Sequence, residues 1–319
     1  MFVVTGANGF IGSNLTLALR DRQNQPVAVV DDFSSVRYPD AIGDGPRIAI
    51  EALPDWLDAH ADQIQGLYHL GACSDTTVTD HDYVMRVNFE YTRTLWNHCV
   101  NHRTPFVYAS SAATYGDGSQ GYDDTVDPAR YQPLNLYGQS KHRFDLWALQ
   151  QTLTPPRWAG VKYFNVYGPH EDHKGRMASM AYHWFDQIRE TGQAKLFKSY
   201  KPGYDHGQQQ RDFIYVRDAV DATIHLMTAL DVNPGLYNIG TGQARCFADL
   251  ATAVFTALKR EPELCFIDMP DDLREQYQYF TQATVDKLRA AGFIQPMHSL
   301  EQGVEAYVNH RLHAKGGDA

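Results

Sequence analysis

Cysteine is scarce in this chain. Its 319 residues include four, Cys73, Cys99, Cys246 and Cys265, far apart and with no C-x-x-C pair. That spacing excludes a zinc framework and a disulfide-stapled scaffold, and it reads as reduced thiols in a cytoplasmic protein. Long apolar runs are missing too. No segment approaches the ~18 apolar residues of a membrane helix, and the apolar start at Phe2–Val4 is too short for a signal peptide, so a cytoplasmic location with no membrane partner is expected. Basic side chains are outnumbered, 28 against 38 acidic ones, for a formal net charge of −10. This disfavours a nucleic-acid partner, and any anionic ligand must be held by local groups.

What is present is an alternation of short apolar runs with helical patterns. The runs are Phe2–Val4, Val27–Val30, Gly66–Leu70, Phe106–Ala109 and Val161–Phe164. Strands alternating with helices imply right-handed crossovers and a parallel sheet buried on both faces. Between two of them, Val84, Val87, Tyr91, Leu95 and His98 or Cys99 recur at helical spacing, with Asn88 at the edge of the stripe. Beyond Gly168-Pro169 the pattern loosens. Lys198–Gln210 carries turn residues without periodicity and reads as a surface loop, whereas Val216–Leu230, Leu236–Ile239 and Ala248–Leu258 regain helix and strand signals. Ser299 and Gln302 form a capping-box pattern before a helix with Leu300, Val304, Tyr307, Val308 and Leu312 on one face, and Lys315–Ala319 reads as a loose tail. The fold expected is a Rossmann-type doubly wound α/β sheet with a smaller C-terminal α/β substrate lobe. Residues 1–167, rejoined by about 212–242, would bind a dinucleotide; 168–211 and 243–319 would form the second lobe.

Thr5-Gly6-Ala7-Asn8-Gly9-Phe10-Ile11-Gly12 follows a strand directly and opens a helix. In that context glycines let backbone approach a pyrophosphate, and amides at the helix start hold its charge. Asp31, at the end of the second strand and about twenty residues on, can accept bonds from adenosine ribose hydroxyls. By itself Asp31 favours NAD, while a 2′-phosphate needs a cation such as Arg37, so both dinucleotides stay open.

Tyr137 and Lys141, at i and i+4 on a helix beginning after Pro133, share a face. A cation within a few ångströms typically lowers a phenol's pKa by roughly one to three units from ~10, which predicts an acid/base couple near neutral pH. Ser110-Ser111, at the end of the Phe106–Ala109 strand, offers a hydroxyl to the same substrate group. The run His170-Glu171-Asp172-His173 lacks H-E-x-x-H spacing and a further ligand, and no metal is expected in the protein.

The opening Thr-Gly-x-x-Gly-Phe-Ile-Gly, the Tyr137/Lys141 couple and Arg211-Asp212-Phe213-Ile214-Tyr215-Val216 resemble the extended short-chain dehydrogenase/reductases. Within them, Gly71–Thr77, Tyr108–Gly116, Tyr163–Pro169, His173-Lys174-Gly175-x-Met177-Ala178-Ser179 and Phe280–Ala283 are similar to the ADP-L-glycero-D-manno-heptose 6-epimerases. The resemblance implies an isomerase that inverts C6 of an ADP-heptose with a bound NADP, NAD being the alternative, in lipopolysaccharide inner-core biosynthesis. It implies a homo-oligomer, with Tyr137, Lys174, Lys141 and Ser111 catalytic. Cofactor contacts would come from Gly6, Gly9, Phe10, Ile11, Gly12, Asp31, Asp32, Arg37, Leu70, Gly71, Ala72, Asn88, Lys141 and Val166. Ser74, Asn165, Arg176, His183, Phe197, Arg211 and Tyr277 would face the substrate. Three departures stand out: Arg176 occupies a position that is usually small, no lysine lies near Tyr38, and the Lys198–Gln210 loop is longer than the pattern. The rival readings are a 4-epimerase or reductase for another nucleotide sugar and, from a different class, a non-catalytic dinucleotide sensor. Intact Ser111, Tyr137 and Lys141 argue against the sensor.

Overall fold

The computed structural model describes residues 1–274, 277–314 and 316; Lys315 and residues 317–319 of the expected tail lie outside them. Among the described residues the strands are, in chain order, β1 (Phe2–Thr5), β2 (Val27–Asp31), β3 (Arg47–Ala49), β4 (Gly66–His69), β5 (Phe106–Ser111), β6 (Trp158–Tyr163), β7 (Asn165–Tyr167), β8 (Ala194–Phe197), β9 (Gln210–Tyr215), β10 (Gly235–Ile239), β11 (Ala244–Cys246) and β12 (Leu264–Ile267). The helices are α1 (Phe10–Leu17), α2 (Pro39–Ile42), α3 (Leu53–Ala59), α4 (His81–Met85), α5 (Tyr91–Asn101), α6 (Leu136–Leu149), α7 (Met180–Thr191), α8 (Val216–Thr228), α9 (Phe247–Ala257), α10 (Asp271–Arg274), α11 (Asp286–Ala290) and α12 (Leu300–Ala314). No described helix is long and apolar enough to cross a membrane. The chain divides into two compact units. The first comprises Met1–Tyr163, Val220–Ile239 and Val285–Ile294; the second comprises Phe164–Ala219, Gly240–Thr284 and Gln295–Ala319.

The first unit is built on one sheet in the order β10-β6-β5-β4-β1-β2-β3. Each neighbouring pair is parallel. Every residue of β1, β4, β6 and β10 is buried, as a parallel sheet covered on both faces requires. Because β1 lies between β2 and β4, the strand order reverses at its carboxyl end, and that is where ligands of open α/β sheets bind. Strand β3 escaped the sequence reading. It is a three-residue edge strand that buries only Ile48, too short to show a period. Under the sheet, Trp96 of α5 meets Phe106, Phe144, Trp147 and Trp158 edge-on, with ring centroids 5.0–6.1 Å away.

The expected stripe of α4 and α5 is broken by a π-turn at Arg86–Glu90. The wider turn rotates the helix face: Val84, Asn88, Phe89, Thr92, Leu95, Trp96 and Cys99 are buried, while Val87 and Tyr91 are only half-buried. Asn88 moves from the edge of the stripe to full burial.

The second unit holds a three-stranded sheet, β11-β9-β7, and a β12-β8 pair. Helices α7, α9 and α12 contribute Trp184, Phe185, Leu250, Val254, Val304 and Val308 to one core with Leu196 and Phe213. Both arms of the Ser299/Gln302 capping box form, at 2.9 and 3.2 Å. Residues 198–209 link β8 to β9 without helix or strand.

Candidate active site

The glycine turn joins β1 to α1 at the carboxyl end of the sheet's central strand. Gly6 has φ +69°, and a Cβ there would lie 2.6 Å from the Gly71 backbone nitrogen. A Cβ on Gly12 would lie 2.0 Å from the Gly6 oxygen, so the tight turn tolerates no side chain at either position. Gly9 is the N-cap of α1 and offers no side-chain cap, so the positive end of the helix dipole faces the turn uncovered by a side chain. Phe10 and Ile11 begin that helix. Leu70-Gly71-Ala72 leaves β4 beside the turn: the Leu70 N–H donates to the Thr5 carbonyl at 3.2 Å and the Gly71 N–H to the Thr5 hydroxyl at 3.1 Å.

Asp31 ends β2 with its carboxylate over the turn, accepting the Asn8 N–H and the Asp32 N–H, each at 3.0 Å. Burial raises its pKa from the usual carboxylate value and these bonds oppose the rise. Asn8, fully buried, also accepts the Arg37 N–H at 2.9 Å and donates to the Ser35 carbonyl. It thereby pins the loop carrying Asp32 and Arg37 against the glycines. Sequence reasoning did not single out Asn8. Its side chain acts across 29 positions of chain, which no local pattern reports.

Tyr137 and Lys141 lie on α6, whose N-terminus is capped by Asn135 accepting the Gly138 N–H at 2.8 Å. The Ser111 hydroxyl hydrogen-bonds to the Tyr137 side chain. Lys141 is 4% exposed, and burial brings its pKa down to about 8 despite opposing effects of Asp145 and Cys73. The expected lowering of the Tyr137 phenol by Lys141 is not found. Desolvation raises its pKa, and the Ser111 bond only partly offsets the rise, so Tyr137 rests as a protonated acid.

Further residues of the first unit hold this couple, and of them Asp145, Lys162, Ser140 and His69 were not anticipated. Asp145, one turn beyond Lys141 and fully buried, accepts from Tyr108 at 2.9 Å, Ser110 at 2.7 Å and the Lys162 ammonium at 2.7 Å. Lys162 also donates to Thr114 at 2.6 Å. A single carboxylate therefore ties α6 to β5, which carries Ser111, and to β6. Asn88 donates to Ser140 at 3.0 Å and to the Cys73 carbonyl at 2.9 Å, and Ser140 donates to the Tyr137 carbonyl at 2.7 Å. Ser74 lies exposed just beyond Cys73. His69 is buried between Thr5 at 2.7 Å and Thr92 at 3.0 Å. Since Thr92 donates to the Asn88 carbonyl, His69 donates from Nε2 and accepts at Nδ1. Burial and the Lys141 charge take its pKa down to about 3, so it stays neutral.

The remaining sequence candidates, Asn165, Val166, Lys174, Arg176, His183, Phe197, Arg211 and Tyr277, belong to the second unit. Phe197 and Tyr277 meet edge-on at 6.4 Å, and the Arg211 guanidinium lies 5.2 Å from the Tyr277 ring centroid. Next to it, buried Asp212 accepts from the Thr241 N–H at 2.7 Å, its hydroxyl at 2.6 Å, the Gly242 N–H at 2.9 Å and the Ala283 N–H at 3.0 Å. Asn165 is exposed on β7 and accepts from Thr281 at 3.5 Å, while His183 lies half-buried on α7. Lys174 and Arg176 share the 3₁₀ turn Asp172–Met177, which is kinked at Gly175 with φ +53°. Arg176 is exposed. Burial lowers the Lys174 pKa and the Glu171 charge opposes it. Glu171 is fully buried and accepts from the Gly168 N–H at 3.2 Å, the Ser179 N–H at 2.6 Å and the Ser179 hydroxyl at 2.7 Å. Its own carbonyl accepts the Lys174 N–H at 3.0 Å. Glu171 is thus the anchor of the turn that carries Lys174.

The site fits a dinucleotide: a side-chain-free approach at the glycines, a helix start without a side-chain cap, and an acid at the end of the next strand. Comparison with known proteins agrees. The family described as NAD dependent epimerase/dehydratase matches residues 2–240. A protein of Fusobacterium nucleatum named ADP-L-glycero-D-manno-heptose-6-epimerase is 46% identical, over 98% of both chains. One of the same name from Nitratidesulfovibrio vulgaris is 43% identical, over 98% of both. The crystal structure of the Helicobacter pylori protein of that name superposes with a TM-score of 0.80 at 28% identity, covering 98% of this chain and 96% of the other. UDP-glucose 4-epimerase of Thermotoga maritima, at 21% identity and TM-score 0.81, shares the fold. The chain belongs to the NAD dependent epimerase/dehydratase family of nicotinamide-dinucleotide enzymes.

Proposed function

We propose that the chain inverts C6 of the heptose in ADP-D-glycero-D-manno-heptose, giving ADP-L-glycero-D-manno-heptose for the inner core of a lipopolysaccharide. The observation that carries this reading is the group of half-buried Ser111 and Tyr137 with buried Lys141, in a chain 46% identical, over 98% of its length, to a protein named for that reaction. C6 bears no acidic proton, so simple deprotonation cannot invert it. A bound nicotinamide dinucleotide supplies a hydride acceptor that returns the same hydride to the opposite face, leaving no net oxidation. The first unit holds it. Backbone at Gly6, Gly9, Phe10, Ile11 and Gly12 would take the pyrophosphate, Asp31 the adenosine ribose and Lys141 the nicotinamide ribose, with further contacts from Asp32, Leu70, Gly71, Ala72 and Asn88 of this unit and from Val166 of the second.

Tyr137 and Lys174 move protons at the C6 oxygen. One removes the hydroxyl proton as C6 becomes a ketone; the other delivers a proton when the opposite face is reduced. Two groups are useful because the oxygen occupies a different place in each epimer. Their environments push them apart, the phenol up and the ammonium down, which suits one for donating and the other for accepting. Ser111 orients the Tyr137 hydroxyl. In the second unit Ser179, Gly168 and Glu171 brace the Lys174 turn, and Asn165, Arg176, His183, Phe197, Arg211 and Tyr277, with Ser74 of the first, bind the sugar nucleotide. Arg211 suits the diphosphate.

NADP is the dinucleotide we propose, with NAD the alternative, since Asn8 holds Arg37 beside the ribose acid Asp31. Identifying the dinucleotide released on denaturation decides it. A cytoplasmic homo-oligomer, as the resemblance implies, is checked by light scattering. Proton NMR of the D,D substrate with the enzyme should show the L,D epimer growing in. No conversion under any dinucleotide load overturns the reading, and turnover of UDP-glucose instead would transfer it to the 4-epimerases. Tyr137→Phe and Lys174→Ala should each lower the rate by roughly 10²–10⁴-fold with the dinucleotide still bound. An unchanged Lys174→Ala rate removes the two-group assignment.

A further inference from the structure

Away from the glycine turn, the first unit carries a group that the reaction does not use. His98, on the last turn of α5, and His102, its C-cap, lie four residues apart and stack at 4.4 Å with 27° between ring planes. Asp58, on the last turn of α3, faces both: its Oδ1 lies 2.9 Å from His98 Nδ1 and 3.1 Å from His102 Nε2. The three donor atoms all fall within 4.8 Å of one another. We propose that Asp58, His98 and His102 form a binding site for a first-row transition ion such as Zn²⁺, which clamps α3 to α5.

The chemistry selects the ion. Two imidazoles and one carboxylate suit zinc, nickel or copper, whereas magnesium and calcium prefer all-oxygen shells. Tetrahedral zinc bonds of about 2.0–2.1 Å set neighbouring donors about 3.3 Å apart. The carboxylate has to withdraw by a few tenths of an ångström, and the two imidazole nitrogens, within 4.8 Å of each other, have to settle to the same spacing, to admit the ion. The Asp58 side chain is 65% exposed and free to make that shift, and the open side leaves a fourth position for water. The buried His98 Nε2 has no hydrogen-bond partner. Resident zinc sites usually give that second nitrogen an acceptor, and its lack typically costs about 10–100-fold in affinity. Together with a site of only three protein ligands open to solvent, that loss brings the expected affinity to the micromolar range.

Topology assigns the ion's role. α3 ends ahead of β4 and α5 ends ahead of β5, so the cluster sits at the amino-terminal edge of the parallel sheet. The glycine turn leaves the carboxyl end of β1, at the opposite edge. Each strand spans roughly 3.3 Å per residue, which keeps the ion a full strand length from the dinucleotide. It would stabilise the unit and take no part in turnover.

The test is a zinc titration of the full chain against a chromophoric chelator, with thermal unfolding followed in parallel. One ion should bind per chain with micromolar affinity and raise the unfolding temperature by several degrees. Asp58→Ala and His102→Ala, both at exposed side chains, should each weaken binding at least tenfold and abolish the shift without needing His98 to be disturbed. Absence of uptake at a tenfold excess of zinc overturns the site, as does unchanged affinity in both variants. Loss of turnover on chelation overturns the purely structural role.

Discussion

Replacing Asp145 by Asn removes one negative charge from the interior and little else, since the two side chains match in size. Lys162 is 1% exposed and Asp145 fully buried, so water does not screen the pair. Breaking a buried pair by removing one partner leaves a lone charge in low dielectric, which costs about 3–5 kcal/mol. The asparagine can still accept through one oxygen, but its amide must turn toward either Tyr108 or the Ser110 and Lys162 donors. At about 2–4 °C per kcal/mol for a domain of this size, the unfolding temperature should fall by roughly 10 °C. Activity should change in a way that destabilisation alone does not explain. Asp145 holds the Lys141 pKa up, so removing it lowers that pKa below about 8. If turnover needs the ammonium, the alkaline limb of the pH–rate profile moves to lower pH. Thermal unfolding and kcat/KM against pH are measured on the same preparation, together with Asp145→Asn/Lys162→Met. The double variant has no lone charge and should recover most of the lost stability while keeping the shifted profile. A single variant as stable as the parent, or a profile that does not move, refutes the reasoning.

Lys141→Met should abolish turnover and stabilise the fold. The folded pKa of about 8 lies below the usual 10.5, so the native state disfavours the charged form. That penalty is fully present below pH 8 and disappears as pH rises to 10.5, and 2.5 units correspond to roughly 3 kcal/mol. The variant's advantage in chemical denaturation should be largest near pH 7 and shrink above pH 8; a constant advantage contradicts it. Glu171→Gln keeps the shape of the Lys174 anchor but weakens its bonds to Gly168 and Ser179. We expect kcat to fall roughly tenfold with dinucleotide content unchanged, and a loss of bound dinucleotide would show that the anchor serves something else. Gly12→Ala places a methyl on the Gly6 carbonyl, so the purified protein should contain little dinucleotide and unfold several degrees earlier. Full dinucleotide content would contradict the tight-turn argument.

The motifs that were legible in the sequence are local. The glycine spacing, the acid after β2, the i,i+4 couple on α6 and the capping box at Ser299 are all written within a few turns of chain, and each element formed within a few residues of its expected bounds. Asp145 and Glu171 were not legible as organisers, because an acidic residue in a helix or a polar loop reads as a solvated group until its partners arrive. Those partners come from two strands for Asp145 and from Gly168 and Ser179, on either side in the chain, for Glu171. The π-turn at Arg86–Glu90 hid the full burial of Asn88 for a related reason: a 3.6-residue period cannot register one inserted residue.

Alone, the sequence determined the tools: a dinucleotide turn, a tyrosine and lysine on one helix face, and the segment around Lys174. Those depend on backbone geometry over short spans, which residue type dictates. Only the tertiary structure decided the state in which the tools are held. Burial raised the Tyr137 pKa where proximity to a cation had suggested lowering, and it brought Lys141 down to about 8. Desolvation depends on everything packed around a group, and no spacing within the chain encodes it.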